Sequence, residues 1–187
     1  MRDSLERVRI ANAELYKYGS ELTEARNAQG EIIAVSNDLI KVEFNTKGGK
    51  IANVTLLDPR YTRFAEGERT EQVEMMQPEH EVFGVELKSV NDNTAFNSDD
   101  FTFAVEQTKA ESADVVRLTL NLSAESALTY VYKIYNTGNP SRDYLIDFAI
   151  KQHNLNTMLS GNEISLVWKS RSNCNERSFN NESMATN

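Results

Sequence analysis

The sequence predicts an all-β protein with antiparallel sheets and one N-terminal helix. From residue 32 onward, apolar and polar residues alternate in one segment after another, and polar turn sequences separate these segments. Residues 2–28 instead have the apolar spacing of a helix. Alternation with period two is typical of strands that bury one face of an antiparallel sheet. Many such strands joined by polar turns favour a β-sandwich or a barrel.

The segment 2–28 predicts an amphipathic helix, because it lacks proline and has apolar residues spaced by three and four positions. These apolar residues are Val8, Ala11, Leu15, Tyr18, Leu22 and Ala25. Asp3 or Ser4 suits the N-cap position. Gly19 costs about 1 kcal/mol relative to alanine in a helix interior, which favours a break there. We expect a linker helix lying on the domain, since fewer than four heptads argue against a dimerising coiled coil.

Residues 33–57 predict two alternating strands joined by a tight turn at Thr46-Lys47-Gly48-Gly49. Ile40, Val42 and Phe44 are the apolar positions of the first strand. The two glycines suit a hairpin turn, because glycine adopts positive φ without steric cost. A phosphate-binding loop is rejected for this segment, since such a loop opens a helix and residues 51–56 have the pattern of a strand.

Five further segments follow the alternating pattern. Their apolar positions are Phe101, Phe103 and Val105; Val116, Leu118, Leu120 and Leu122; Leu128, Tyr130, Tyr132 and Ile134; Tyr144, Ile146, Phe148 and Ile150; and Ile164, Leu166 and Trp168. Aromatic residues on this apolar phase are expected to fill the core. Turns are predicted at 91–93, 136–140 and 160–162. Residues 58–80 and 170–187 have no period and are predicted to be irregular.

Composition limits the classes of partner. The net charge is −8 and the isoelectric point is about 4.9, so the surface repels nucleic acid and anionic lipid headgroups. No segment approaches the ~20 apolar residues of a membrane span, and the N-terminus lacks the apolar region of a signal peptide. The chain is expected to be soluble, either by itself or as the soluble part of something larger.

No motif predicts a catalytic, cofactor-binding or metal site. Cys174 is the sole cysteine, which excludes an internal disulfide. His80 and His153 lie in different strand neighbourhoods and have no local metal-ligand spacing. The Asn and Asp residues at 91–93 and 97–100 lack the frame of a calcium loop, so turns explain them better.

Several segments resemble the periplasmic domain of the YidC/Oxa/Alb family of bacterial membrane-protein insertases. They are residues 37–42, 45–51, 97–103, 128–135, 144–148 and 166–168, with Glu176 downstream. The likeness spans residues 32–187, and its sharpest motif is the turn at 46–49. It implies an extended β-sandwich of the galactose-mutarotase-like type.

The resemblance also implies a domain organisation and a location. Residues 1–30 would form a juxtamembrane helix or linker, and residues 31–187 a periplasmic sandwich domain that is incomplete at its C-terminus. Nothing in the chain resembles the membrane helices of the family's insertase core, so we expect a fragment of a longer protein. The implied location is the periplasm of a Gram-negative bacterium, as the soluble part of an inner-membrane protein.

Three functions remain open. The first is a non-enzymatic interaction domain that assists the insertion and folding of inner-membrane proteins, with a cleft or edge strand taking an extended peptide. Its implied partners are translocon and accessory subunits and nascent membrane proteins, without nucleic acid or cofactor. It would be a monomer and touch the membrane only through a missing transmembrane segment.

The second function is a carbohydrate-binding or mutarotase-like domain, since mutarotases share the implied fold type. This alternative requires an acid and a base that converge in one cleft, and His80 and His153 are the candidates. The third is a secreted scaffold domain unrelated to the insertase family.

Overall fold

A helix and a series of antiparallel strands make up residues 2–65, 68–159 and 163–175, which the computed structural model describes. Helix α1 spans Arg2–Asn27, and the short helix α2 spans Pro140–Asp143. The strands are β1 Ile32–Ser36, β2 Ile40–Asn45, β3 Lys50–Leu56, β4 Thr62–Ala65, β5 Glu68–Glu74, β6 Val82–Lys88, β7 Ala95–Asn97, β8 Ala104–Ala110, β9 Ala113–Ser123, β10 Ser126–Tyr135, β11 Ile146–His153 and β12 Leu166–Lys169. The predicted turn at 160–162 and the predicted tail beyond residue 175, which includes Glu176, lie outside the described residues.

The described strands form three antiparallel sheets, with strand orders β1-β2-β3-β5-β4, β11-β10-β9-β8 and β12-β6-β7. The first two sheets face each other, because the buried rings of Phe44 on β2 and Tyr132 on β10 have centroids 4.9 Å apart. The third sheet adds Phe83 of β6, whose ring centroid lies 5.5 Å from that of Tyr130. The predicted antiparallel β-sandwich preceded by a helix is therefore confirmed.

The predicted alternation identifies the buried faces of the central strands. Buried residues at alternate positions are Ile40, Val42 and Phe44 on β2, Val116, Leu118, Leu120 and Leu122 on β9, and Leu128, Tyr130, Tyr132 and Ile134 on β10. Strands β9 and β10 place these residues opposite one another in pairs such as Leu118 and Tyr130. Each fully buried large apolar side chain contributes about 1.5–3 kcal/mol relative to an exposed one, so these strands supply much of the stability.

Several strand predictions were wrong, among them the one of two strands in residues 33–57, which contain part of β1 and all of β2 and β3. Residues 58–80 were expected to be irregular, but they contain the β4–β5 hairpin and a 3-10 turn at Pro78–His80. This hairpin has polar cross-strand contacts, such as the Arg63–Glu71 ion pair, and therefore shows no apolar period. Phe101 and Phe103 are buried as expected, but β8 begins after them at Ala104 and is exposed along its length.

Helix α1 is broken at Gly19, as the sequence predicts, because Gly19 has φ 79° and ψ 179°. The helix packs on the sandwich from the residue before this break onward. The Tyr18 ring makes edge contacts with Phe96 and Phe101 at centroid distances of 5.4 and 5.5 Å, and Leu22 is 1% exposed. Leu15, on the same predicted apolar face, is 50% exposed. The expected linker helix thus lies on the domain only from about Tyr18 onward.

The turn at 46–49 connects the first hairpin to both the helix and the core. Gly48 and Gly49 have φ values of 83° and 63°, which confirms the predicted positive-φ turn. The amide of Gly48 donates to the carbonyl of Phe101 at 2.8 Å, and Lys47 Nζ donates to the carbonyl of Arg26 at 2.7 Å. The Lys47 contact satisfies one of the carbonyls that the end of α1 would otherwise leave unpaired.

No helix within the described residues combines the length and the hydropathy that a membrane span requires.

Candidate functional site: an aromatic groove between two sheet edges

An apolar groove of about 270 Å³ lies between the outermost strands of two sheets. Strand β11 is the edge of the four-stranded sheet, and β12 is the edge of the three-stranded sheet. The lining residues are Lys50, Ile51, Met76, Glu81, Phe83, Tyr132, Ile146, Phe148 and Trp168. All three sheets thus contribute to one surface.

Cross-strand pairing brings the aromatic residues of the groove together. Phe148 lies opposite Tyr132 in the β10–β11 ladder, and Trp168 lies opposite Phe83 in the β6–β12 ladder. Side chains directly opposite in antiparallel strands share one face and contact each other. The Phe83 ring then joins the two ladders, because its centroid lies 5.2 Å from that of Phe148 and 6.0 Å from that of Trp168.

The prediction that all the strand aromatics fill the core is wrong for the residues nearest the sheet edges. Tyr130 and Tyr132 are buried, but Trp168 is 67% exposed and Phe148 is 38% exposed. Their strands have a neighbour on one side only in the described part of the chain. Tyr144 lies just after α2 instead of in a strand, and its hydroxyl donates to Asp58 Oδ2 at 2.8 Å.

The charged groups at one end of the groove are engaged in internal contacts. Lys50 Nζ donates to the carbonyl of Glu81 at 2.6 Å and lies 2.7 Å from Asp99 Oδ1. The buried Glu81 carboxylate accepts hydrogen bonds from Ser170 Oγ at 2.8 Å and from the Arg171 amide at 3.1 Å. Since these charges are already paired, the surface left to a ligand is mainly apolar.

Two buried tyrosines support the groove from below and stay protonated near neutral pH. Tyr132 Oη donates to the carbonyl of Gly49 at 2.9 Å, and burial raises the pKa of Tyr132 above its usual value. Tyr130 Oη shares a hydrogen bond of 2.8 Å with Ser98 Oγ, and burial raises the pKa of Tyr130 to about 12. These phenols position rings, and their pKa values are unsuited to proton transfer at neutral pH.

The histidines do not converge on this groove. His80 Nε2 lies 4.0 Å from Glu79 Oε1 and 3.4 Å from Arg171 Nη1, at the surface. His153 ends strand β11 and contacts Asn154. Neither histidine lines the groove, so the condition stated for the mutarotase-like alternative is not met there.

The oxygen-rich segments at 91–93 and 97–100 form turns. Asn93 has φ 58°, and Asn97 Oδ1 accepts from the amide of Asp99 at 2.9 Å to cap a short 3-10 helix. Within the residues that the structure describes, no group of three or more His, Cys, Asp or Glu side chains is placed to hold a metal ion. Cys174 is an exposed thiol.

The sequence predicted no site residue, and it did not indicate that these residues come together in a groove. Its members come from five strands and two connecting segments, and each apolar member looks like an ordinary core residue in its own segment. One weak signal was available. Trp168 lies on a short apolar run followed by a segment rich in Ser and Asn, which offers few apolar side chains to cover its ring.

Comparison with known proteins gives one family. The sequence model of the YidC periplasmic domain matches residues 32–183. A relative described as membrane protein insertase YidC, from Azobacteroides pseudotrichonymphae genomovar. CFP2, is 26% identical over 143 residues, which is 76% of this chain and 21% of the relative. The chain therefore spans about a fifth of the length of that curated relative. No solved structure matches the chain.

Proposed function

The chain belongs to the YidC periplasmic domain family, and from this we propose that it is an interaction domain of a membrane-protein insertase. The family match confirms the predicted resemblance and the predicted periplasmic location, as part of an inner-membrane protein. The family is one of insertases and not a known enzyme class, and we propose that this domain catalyses no reaction. We also propose the division into a helical linker, residues 1–30, and a sandwich domain, residues 31–187.

The proposed role is to assist the insertion and folding of inner-membrane proteins through protein contacts. The observation that carries this proposal is the aromatic groove between the edges of β11 and β12. Within the described residues, β12 pairs with β6 alone, so one side of its backbone has no strand neighbour. An extended peptide can add to such an edge by β-augmentation.

The side chains on this edge suit an apolar peptide. Leu166 and Trp168 alternate along β12 and are both exposed. A peptide strand paired with β12 would direct every second side chain toward the groove, because side chains alternate between the two faces of a sheet. Burying two large apolar side chains yields about 3–6 kcal/mol before ordering costs. We therefore expect weak binding, with a Kd in roughly the millimolar range, as suits a transient contact.

The partners in this proposal are nascent membrane proteins and translocon or accessory subunits. Nucleic acid is a poor partner for a chain with a net charge of −8. We propose that the domain acts as a monomer without a cofactor.

One observation favours the carbohydrate alternative. The exposed ring of Trp168 offers a flat apolar surface on which a sugar can stack. Sugar recognition also needs several polar groups directed at the ligand, and in this groove Lys50 and Glu81 already have internal partners. The groove therefore favours an apolar peptide over a sugar.

Fluorescence of Trp168 distinguishes the two functions, because it is the sole tryptophan of the chain. A synthetic peptide with apolar residues at alternate positions is expected to shift its emission to the blue and to saturate. Phe148→Asp, inside the groove, should abolish the shift. Leu145→Asp is the matched control, since Leu145 is exposed near the same strand but does not line the groove.

Three outcomes would contradict the peptide proposal. A saturable shift with methyl glycosides and none with the peptide would favour the carbohydrate function. A peptide shift that survives Phe148→Asp would place binding elsewhere on the domain. No shift with either ligand would remove the groove as a binding site.

A further inference from the structure

The break in helix α1 is held in place by the loop between β6 and β7. Ser89 Oγ donates a hydrogen bond of 2.7 Å to the carbonyl of Lys17, and Asn91 Nδ2 donates one of 2.5 Å to the carbonyl of Tyr16. Both carbonyls lie in the last turn before Gly19. Two side chains from a loop more than seventy residues away thus contact the backbone where the helix changes direction.

Helix geometry explains why these carbonyls need donors. A helix that ends leaves its last four carbonyls without the amide partners of a continuous helix. The φ of 79° and ψ of 179° at Gly19 belong to a region that only glycine adopts readily, so the break interrupts the ladder there. Ser89 and Asn91 supply the missing donors from outside the helix.

The loop is itself ordered by short-range hydrogen bonds. The amide of Asn93 donates to the carbonyl of Ser89 at 3.0 Å, and the amide of Ser89 donates to the carbonyl of Thr94 at 3.0 Å. Asp92 Oδ1 accepts hydrogen bonds from the amide and the hydroxyl of Thr94. Ser89 is buried, so its hydroxyl has few alternative partners. These hydrogen bonds within the loop orient the side chains of Ser89 and Asn91 toward the helix.

The two halves of the helix differ in how they are attached. From Tyr18 onward the helix is fixed to the sandwich, because the Tyr18 ring packs against Phe96 and Phe101 and Leu22 lies in the core. Before Tyr18, the larger apolar side chains are exposed, and packing on the sandwich does not set their position. They are Leu5, Val8, Ile10, Leu15 and Tyr16.

We propose that Gly19, Ser89 and Asn91 form a fixed joint that sets the direction in which residues 5–16 leave the sandwich. Glycine permits the bend, and the two side chains select one bent geometry by hydrogen bonding to the carbonyls of Tyr16 and Lys17. The joint is independent of the aromatic groove and of the function proposed for it. Its effect is to present the exposed apolar residues of the first half at one defined position relative to the sheets.

Distances between spin labels test the joint directly. Labels on Arg9→Cys and Glu106→Cys, in a Cys174→Ser background, report on the first half of the helix and on β8, where both original side chains are exposed. The parent chain is expected to give one narrow distance peak. Gly19→Ala should shift this peak, because alanine does not adopt the φ and ψ observed at this position and favours a continuous helix.

Removing the donors should have a different effect from removing the glycine. Asn91→Ala, alone and together with Ser89→Ala, is expected to broaden the distance peak. Gly19 still permits the bend, but the hydrogen bonds that favour one bent geometry are lost. Ser126→Ala is the matched control, because its hydroxyl also donates to a backbone carbonyl, that of Asn154 at 3.0 Å, which is not part of the helix. It should leave the peak unchanged.

Near-UV circular dichroism establishes that each variant keeps the packed core. Because Asn91 is exposed, Asn91→Ala tests the proposal even if Ser89→Ala fails to fold. An unchanged peak in a folded Gly19→Ala variant would overturn the role of the glycine. An unchanged width in Asn91→Ala and in the double variant would overturn the role of the side chains.

Discussion

Replacing Ser98 with alanine tests how much one buried hydroxyl stabilises the junction of β6 and β10. Ser98 has no exposed surface, its Oγ accepts from the amide of Val85 at 2.8 Å, and it shares a hydrogen bond of 2.8 Å with Tyr130 Oη. Alanine in this position removes the common partner of two buried polar groups. Neither group gains access to water, because Val85 and Tyr130 are themselves fully buried.

The expected loss follows from these two contacts. A buried polar group that loses its hydrogen bond costs about 1–3 kcal/mol. For two such groups, we expect the free energy of unfolding to fall by about 3 kcal/mol. A domain of this size loses about 2–4 °C in Tm per kcal/mol, so the Tm should fall by about 6–12 °C.

A double-mutant cycle with Tyr130→Phe separates the hydrogen bond from other effects. Tyr130→Phe alone should cost about 1–2 kcal/mol, because it leaves Ser98 with one contact fewer. In the Ser98→Ala background it should recover about 1–2 kcal/mol, since the hydroxyl it removes is then buried without its partner. The expected coupling energy is therefore about 3 kcal/mol.

Urea unfolding followed by far-UV circular dichroism measures all four proteins of the cycle. Ser126→Ala serves as control, because this hydroxyl is at the surface and its loss should change stability by less than about 0.5 kcal/mol. Equal midpoints for Ser98→Ala and Ser126→Ala would contradict the expected loss of stability at Ser98. Additive effects of the changes at 98 and 130 would contradict the expected coupling energy.

Two further predictions concern the same core. Gly49→Ala should cost about 2–4 kcal/mol in urea unfolding, because φ is 63° and the new Cβ would lie 3.0 Å from the rings of Phe103 and Tyr130. Gly138→Ala, with φ 73° and open space around it, should cost only about 1–2 kcal/mol, and an equal cost would rule out the steric contribution. Alkaline pH should destabilise the protein, because burial raises the pKa of Tyr130 to about 12 and also raises that of Tyr132, whereas unfolded tyrosine titrates near 10. The folded state holds these protons more tightly, so their contribution to the free energy of unfolding is full below about pH 10. The contribution of Tyr130 is lost between about pH 10 and 12, and that of Tyr132 also begins to fall above about pH 10. Unfolding midpoints at pH 8 and 11 should therefore differ, and less so in Tyr130→Phe.

The sequence was sufficient to predict the central hairpins. Phe44 and Tyr132 lie in strands whose neighbours on both sides are other strands, so every second residue is buried and the apolar period is complete. The turn at Gly48-Gly49 was predictable because its backbone conformation favours one residue type. In these segments the local pattern and the tertiary surroundings agree.

The periphery shows where a local pattern is insufficient. Strand β5 pairs with β4 through polar side chains, so its sequence has no apolar period. Leu15 and Leu22 share one predicted helix face, but only Leu22 packs in the core, because the backbone turns at Gly19 between them. The sequence indicated a break at Gly19, but the contacts of Ser89 and Asn91 that hold it come from a distant loop.

The aromatic groove also shows the difference between what a local sequence pattern predicts and what the tertiary structure determines. The amino-acid pattern was enough to predict strands with apolar alternation at β11 and β12, and it identifies the family to which the chain belongs. That Trp168 and Phe148 line an open groove depends on the packing of the sheets, because exposure depends on which strands and side chains cover a residue. Apolar residues at alternate positions of a strand indicate side chains that favour burial. The arrangement of the sheets determines whether a neighbour is present to bury them.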